Sequence, residues 1–247
     1  MEKTRYTLPD ALRGVAILEM IIYHALWDMV FIFDCDLEWF NTYGAYIWQQ
    51  SICCTFILLS GFCVNFSRRK LKRSLIVLIC SLIISIVTII FFPYAAVKFG
   101  VLCLIGSGML LMIPLDRLLK KAEPITAAVI FFCIFIFMKN IYNGFLGIGN
   151  IWTIEMPDML YRNMITAYLG FPPDDFSSSD YFPVIPWMFL YITGYFIYRI
   201  LKKYGLLHSL SKISLHPVEW IGRHSLIIYM LHQPIIYGVL WAIFQIV

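Results

Sequence analysis

Three side chains in the stretch ALRGVAILEMIIYHALWDMVFIF, residues 11–33, have the chemistry of a reaction centre: Arg13, His24 and Asp28. An imidazole serves near neutral pH as a general base or a nucleophile. A carboxylate beside it orients the ring and favours its charged form, and a guanidinium holds anions. A helix turns 100° per residue, so residues 13, 17, 20, 24 and 28 fall near one face. Arg13 and His24 then lie within about 20° of each other and roughly 16 Å apart along the axis. An ionisable group inside an apolar helix marks a functional position by default, although a histidine can also be buried against a neighbouring carbonyl. The charged residues sharing its face favour function for His24. Asp28, one turn further, either accepts a hydrogen bond from His24 or sits in interfacial water. Glu19 lies about 140° from His24, off this face, and is expected to be paired structurally or protonated.

The segment IGRHSLIIYMLHQPIIYGVL, residues 221–240, repeats the arrangement. Arg223 and His224 stand at one end, and His232, Gln233 and Pro234 in the middle. Pro234 frees a carbonyl one turn back, so His232 either satisfies such a carbonyl or takes part in catalysis. The run RRKLKR, residues 68–73, is a topology anchor in the plain reading. In the sharper one, Arg68 and Arg69 join Arg13 and Arg223 in binding phosphate on the inner side. His208, His216, His224 and His232 recur every eight residues, a spacing that drifts off one helix face, and no metal is expected.

The elements that carry these residues follow from composition. Of 247 residues, 61% are hydrophobic and 14% charged, too apolar for one water-soluble core. The apolar runs are long and unbroken rather than alternating, which excludes an outer-membrane barrel. The reading is an all-α, polytopic membrane helical bundle of about seven transmembrane helices. They are expected at 12–33, 46–66, 74–92, 99–114, 124–139, 184–201 and 224–245, and form a single domain without internal repeats. The spans 99–114 and 124–139 are short for a bilayer and are expected to extend. With the N-terminus inside, only Lys98, Lys139 and Arg162 of the 19 basic residues fall outside, so the positive-inside rule orients the chain N-in, C-out. This distribution excludes nucleic acid as a partner and makes the lipid bilayer one. No signal peptide is visible at the N-terminus. Six of the seven cysteines lie in apolar runs, which is neither a disulfide framework nor a zinc spacing.

One long loop, about 140–183, lies outside and is rich in aromatic residues. Its pattern predicts a helix over 158–169, followed by ordered turns in FPPDDFSSSDYFP. Such a loop reads as a lid.

DALRGVAILEMIIYH, residues 10–24, resembles the opening helix of transmembrane acyltransferases, a D-x-x-R-G-x-A pattern followed by a histidine. Together with LLSGFCVNFS (58–67), KFGVLCLIG (98–106), LGFPPDDFSSSDYFPVIPW (169–187) and IGRHSLIIYMLHQP (221–234), it is similar to the heparan-alpha-glucosaminide N-acetyltransferase catalytic-domain family in a short bacterial form. The resemblance implies an enzyme that takes acetyl from cytosolic acetyl-CoA, as co-substrate, and passes it to an amine or hydroxyl across the membrane, often on a sugar. The localisation implied is the bacterial inner membrane. His24 is implied as the catalytic base, with an acetyl-histidine intermediate as the alternative. Asp28 and His232 are further catalytic candidates. Arg13, Arg68, Arg69, Arg223 and His224 are candidates for the CoA side, and Asp180, Trp187 and Gln233 for the sugar-like acceptor. Glu19 departs from the apolar residue expected at its place.

Two other classes stand beside this one. Intramembrane His24, Asp28 and Glu19 also suit a proton-coupled transporter or flippase, and a non-catalytic membrane subunit would retain the same fold. The oligomeric state stays open, a homodimer included.

Overall fold

Helix α1 (Thr7–Phe31) starts ahead of the expected residue 12, with Pro9 in its first turn, where a backbone N–H has no intrahelical partner to lose. The computed structural model describes residues 6–148, 152–211 and 215–246; Lys3, Arg5 and Lys212, counted above among the inner basic residues, lie outside these. Further helices are α2 (Tyr43–Cys63), α3 (Lys70–Phe91), α4 (Val101–Leu119), α5 (Pro124–Met138), α6 (Met164–Leu169), α7 (Val184–Lys203), α8 (His216–Arg223) and α9 (Ser225–Ile246). Among the described residues seven helices are long and apolar enough to cross a membrane. The chain is therefore a multi-pass integral membrane protein of all-α class. Large apolar side chains along α3, such as Ile79, Leu82, Ile86 and Ile90, are exposed on the protein surface and face lipid rather than water. The two short spans do extend: α4 runs past Pro114 to Leu119, and a 3₁₀ turn carries the fifth span to Asn143.

The contacts divide the chain into two compact units, residues 1–56 with 205–247, and residues 57–204.

In the first unit α8 crosses α1 at two glycines. A Cβ on Gly14 would collide with the Val218 carbonyl, and one on Gly222 with the Asp10 carbonyl. Only hydrogen at both positions lets the two backbones meet. Ile17 and Met20, from the face that also carries Arg13, His24 and Asp28, are buried: with the neighbouring Ala16 they pack against Ile52 and Phe56 of α2, flanked by Ile221, Ile228 and Tyr229. Helix α8 is absent from the expected elements because eight residues are too few for a span. Pro217 in its first turn is the signal that marks it.

In the second unit a reciprocal glycine crossing joins the end of α2 to α7: Gly61 abuts the Tyr191 carbonyl and Gly194 the Leu58 carbonyl. Ser74 of α3 donates to the Gly106 carbonyl of α4 at 2.8 Å. The Arg199 guanidinium on α7 covers the end of α4, donating to the carbonyls of Leu119 (2.8 Å), Lys120 (2.9 Å) and Ala122 (3.2 Å). These are the acceptors that a helix C-terminus leaves unpaired. Glu123 caps α5 through the Thr126 N–H at 2.9 Å and pairs with Lys203 at 2.9 Å. Those two ties hold its exposed carboxyl down to about 2.

The outer segment differs from expectation in two respects. It contains a two-stranded antiparallel hairpin, β1 (Phe145–Ile148) with β2 (Trp152–Glu155), pairing Phe145 with Glu155 and Ile148 with Trp152. The helix expected over 158–169 is broken into a 3₁₀ turn, Asp158–Leu160, and α6. The cause is Asn163, whose side chain accepts from the N–H groups of Ile165 and Thr166 and starts a new helix there.

Candidate active site

Helix α1 brings His24 and Asp28, and α9 brings His232 and Gln233, into one polar layer of the first unit. The rings of His24 and His232 meet edge to face, centroids 4.8 Å apart and planes at 89°. Each histidine turns Nδ1 back onto its own helix, His24 to the Met20 carbonyl at 2.9 Å and His232 to the Tyr229 carbonyl at 2.6 Å. A carbonyl oxygen only accepts, so each Nδ1 bears the hydrogen, and in the neutral form of either ring the lone pair lies on Nε2. Both rings therefore present their basic nitrogen away from the helix that holds them.

Asp28 departs from both sequence-based alternatives. It is fully buried rather than in interfacial water. Its Oδ1 accepts from Gln233 Nε2 at 2.7 Å instead of pairing with His24. The physical reason is competition: the Gln233 amide supplies a donor to a carboxylate that has left water, while the His24 donor is committed to Met20. Asp28 Oδ2, Gln233 Oε1 and His232 Nε2 are buried without a partner among the described residues. The pairing expected for Glu19 is likewise not found among the described residues, where it makes no hydrogen bond or ion pair.

In the N-terminal part of α1, Arg13 and Arg223 share the Asp10 carboxylate, at 3.5 and 3.7 Å. Arg223 also binds Glu219 at 2.8 Å, and Glu219 is fully buried in α8, where its other oxygen accepts from the Leu215 N–H. Two guanidiniums thus meet two carboxylates. The sequence reading missed Glu219; its position four residues before Arg223 on a helix was the available signal. His224 ends α8 with Nδ1 at 2.8 Å from the Trp220 carbonyl and its ring 4.5 Å from the indole.

The other site candidates belong to the second unit. Arg68 and Arg69 are exposed just before α3. Asp180 accepts from the Val101 N–H at 3.0 Å, capping the start of α4. Trp187 is buried between Phe182 and Phe135, centroids at 4.8 and 5.2 Å. The same unit holds a cleft of about 680 Å³ whose lining includes Tyr142, Asp158, Tyr161, Asp174, Phe176 and Tyr181. Burial raises the Tyr161 and Tyr181 phenols, which donate to the carbonyls of Ile141 and Ala167 and stay protonated. No spacing rule on the sequence gathers these residues, which come from separate turns.

No curated protein and no solved structure matches the chain. The model of the heparan-alpha-glucosaminide N-acetyltransferase catalytic family matches residues 5–234, nearly the whole length and every residue of the polar layer, so the chain belongs to that family and is a transmembrane acetyltransferase.

Proposed function

We propose that the protein transfers the acetyl group of cytosolic acetyl-CoA to an amine or hydroxyl of an extracytoplasmic, sugar-like acceptor, in a bacterial inner membrane, with His24 as the catalytic base. The observation that carries this reading is the polar layer itself: an imidazole inside a membrane helix, its Nδ1 committed to Met20 and its lone pair therefore on Nε2. In the transfer, Nε2 takes the acceptor's proton as the acceptor's lone pair attacks the thioester carbonyl. Collapse of the adduct breaks the carbon–sulfur bond, and the thiolate leaves with that proton. Positioned bases of this kind contribute about 10²–10⁴-fold in rate. Direct attack by Nε2, giving an acetyl-histidine and then its aminolysis or alcoholysis, uses the same atom.

The inner mouth offers donors to an anionic nucleotide. Arg223 faces Asp10 with Nε at 3.7 Å and donates one Nη hydrogen to Glu219, and a guanidinium has five N–H donors. Arg13, Arg68, Arg69 and His224 are the further candidates for the CoA phosphates. On the acceptor side, the outer cleft combines aromatic faces with carboxylates, a lining suited to a polyhydroxylated ring.

The test supplies acetyl-labelled acetyl-CoA to sealed inside-out vesicles bearing wild type or His24→Ala. Wild type consumes the donor and His24→Ala loses at least about a hundredfold. Turnover that survives the substitution overturns the role of His24, and absence of any CoA binding overturns the reaction.

A further inference from the structure

Gln233 stands one residue before Pro234 in α9 and 205 residues from Asp28 in α1, yet its amide makes the one side-chain hydrogen bond that reaches Asp28 among the described residues. The bond lies in the same helix pair as the His24–His232 ring contact: His232 precedes Gln233 directly, and His24 precedes Asp28 by one turn. Two cross-helix contacts therefore hold four polar side chains in one layer. The amide donates one hydrogen to Asp28 Oδ1, and what remains buried without a partner is three acceptors: Asp28 Oδ2, Gln233 Oε1 and the lone-pair nitrogen of His232. A buried carboxylate with one oxygen tied and one bare has a defined direction, because rotation about its Cβ–Cγ bond would break the tie at a cost a buried acceptor cannot recover from water.

We infer that Gln233 is a positioning residue: its amide fixes the Asp28 carboxylate so that Oδ2 stays presented, as an acceptor, in the layer shared by His24 and His232. This goes beyond placing Gln233 against the acceptor, and it rests on the acetyl-transfer reading for its effect on rate, though not for the bond itself. Because the three bare atoms all accept, the layer favours a reacting group that brings N–H or O–H hydrogens and disfavours one that has none to give. An unpaired acceptor facing an ether or ester oxygen loses on both sides.

The test uses the full chain in proteoliposomes, with Gln233→Leu, Asp28→Asn and the swap Asp28→Asn/Gln233→Glu. The infrared carboxyl band of Asp28 is identified as the one that Asp28→Asn removes. Gln233→Leu is expected to shift that band and to lower kcat at least tenfold, with KM for acetyl-CoA within twofold of wild type. Asp28→Asn keeps a cross-helix amide bond, so its thermal midpoint stays near wild type while turnover falls. The swap rebuilds the bond with the carboxylate on α9, regaining the midpoint and not the turnover. A band that Gln233→Leu leaves in place, a wild-type kcat in Gln233→Leu, or full turnover in the swap each overturns the inference. Wild type that shifts its band on Gln233→Leu but consumes no acetyl-CoA overturns acetyl transfer and leaves the positioning bond standing.

Discussion

His24 and His232 meet ring edge to ring face at 4.8 Å across two helices, each with Nδ1 fastened to a carbonyl of its own helix. Side chains in direct contact couple, so their effects do not add. Turnover of labelled acetyl-CoA in His232→Ala is expected to fall about tenfold or more, and His24→Ala/His232→Ala to be no worse than His24→Ala. Multiplying effects in the double variant would show that the two rings act independently.

The glycines of the first unit set a second expectation. Gly222→Ala forces a methyl into the Asp10 carbonyl, where backbone rather than a flexible side chain must move. Overpacking of this kind costs about 1–3 kcal/mol. Gly238→Ala, also on a helix but with nothing within 4 Å of its added Cβ, serves as the control. Thermal unfolding in detergent should separate the two, with Gly222→Ala several degrees lower and Gly238→Ala unchanged or raised.

The arginines differ in what their loss strands. Arg223→Gln leaves the Glu219 carboxylate fully buried with its ion pair gone, at a cost of about 1–3 kcal/mol. Arg68→Gln removes an exposed charge and should move the midpoint little. If both bind CoA phosphates, both raise KM for acetyl-CoA, and only Arg223→Gln also lowers the unfolding temperature.

Glu123 provides a pH signature. Its carboxyl sits at about 2 because of the Thr126 N–H and Lys203. A depressed carboxyl stabilises the folded state above its unfolded value, about 4.3, and loses that contribution as pH falls toward the folded one. The difference in midpoint between wild type and Glu123→Gln should therefore be constant from pH 6 to 8 and shrink below about pH 4. A difference that grows on acidification would mean that the Lys203 and Thr126 ties do not hold the carboxylate.

The spans were legible because a hydrocarbon core demands long apolar runs, and the shared side of Ile17, Met20 and His24 because a helix turns 100° per residue; that Ile17 and Met20 pack against α2 was not. What stayed hidden was tertiary. The Asp28–Gln233 bond joins residues 205 apart, and no local pattern announces it. Helix α8 has too few residues to show a span. The break before α6 turned on Asn163 offering its side chain to two backbone donors, a local choice that overrode the apolar spacing of 158–169. Asp180 and Trp187 were singled out through the resemblance, and only their surroundings show that one caps α4 and the other packs in an aromatic cluster.

The glycine crossing of α1 and α8 has a mechanical consequence. Because Gly14 and Gly222 set main chain against main chain, with only the short, branched Val218 side chain beside Gly14, the contact contains no long side chain to swing aside. Two helices joined in that way behave as a single stiff body, and Asp10, Arg13, Glu219 and Arg223 are all mounted on it. On the proposed reading, an anion at this end docks onto guanidinium donors that the carboxylates leave over, within a fixed frame rather than through the opening of a gate.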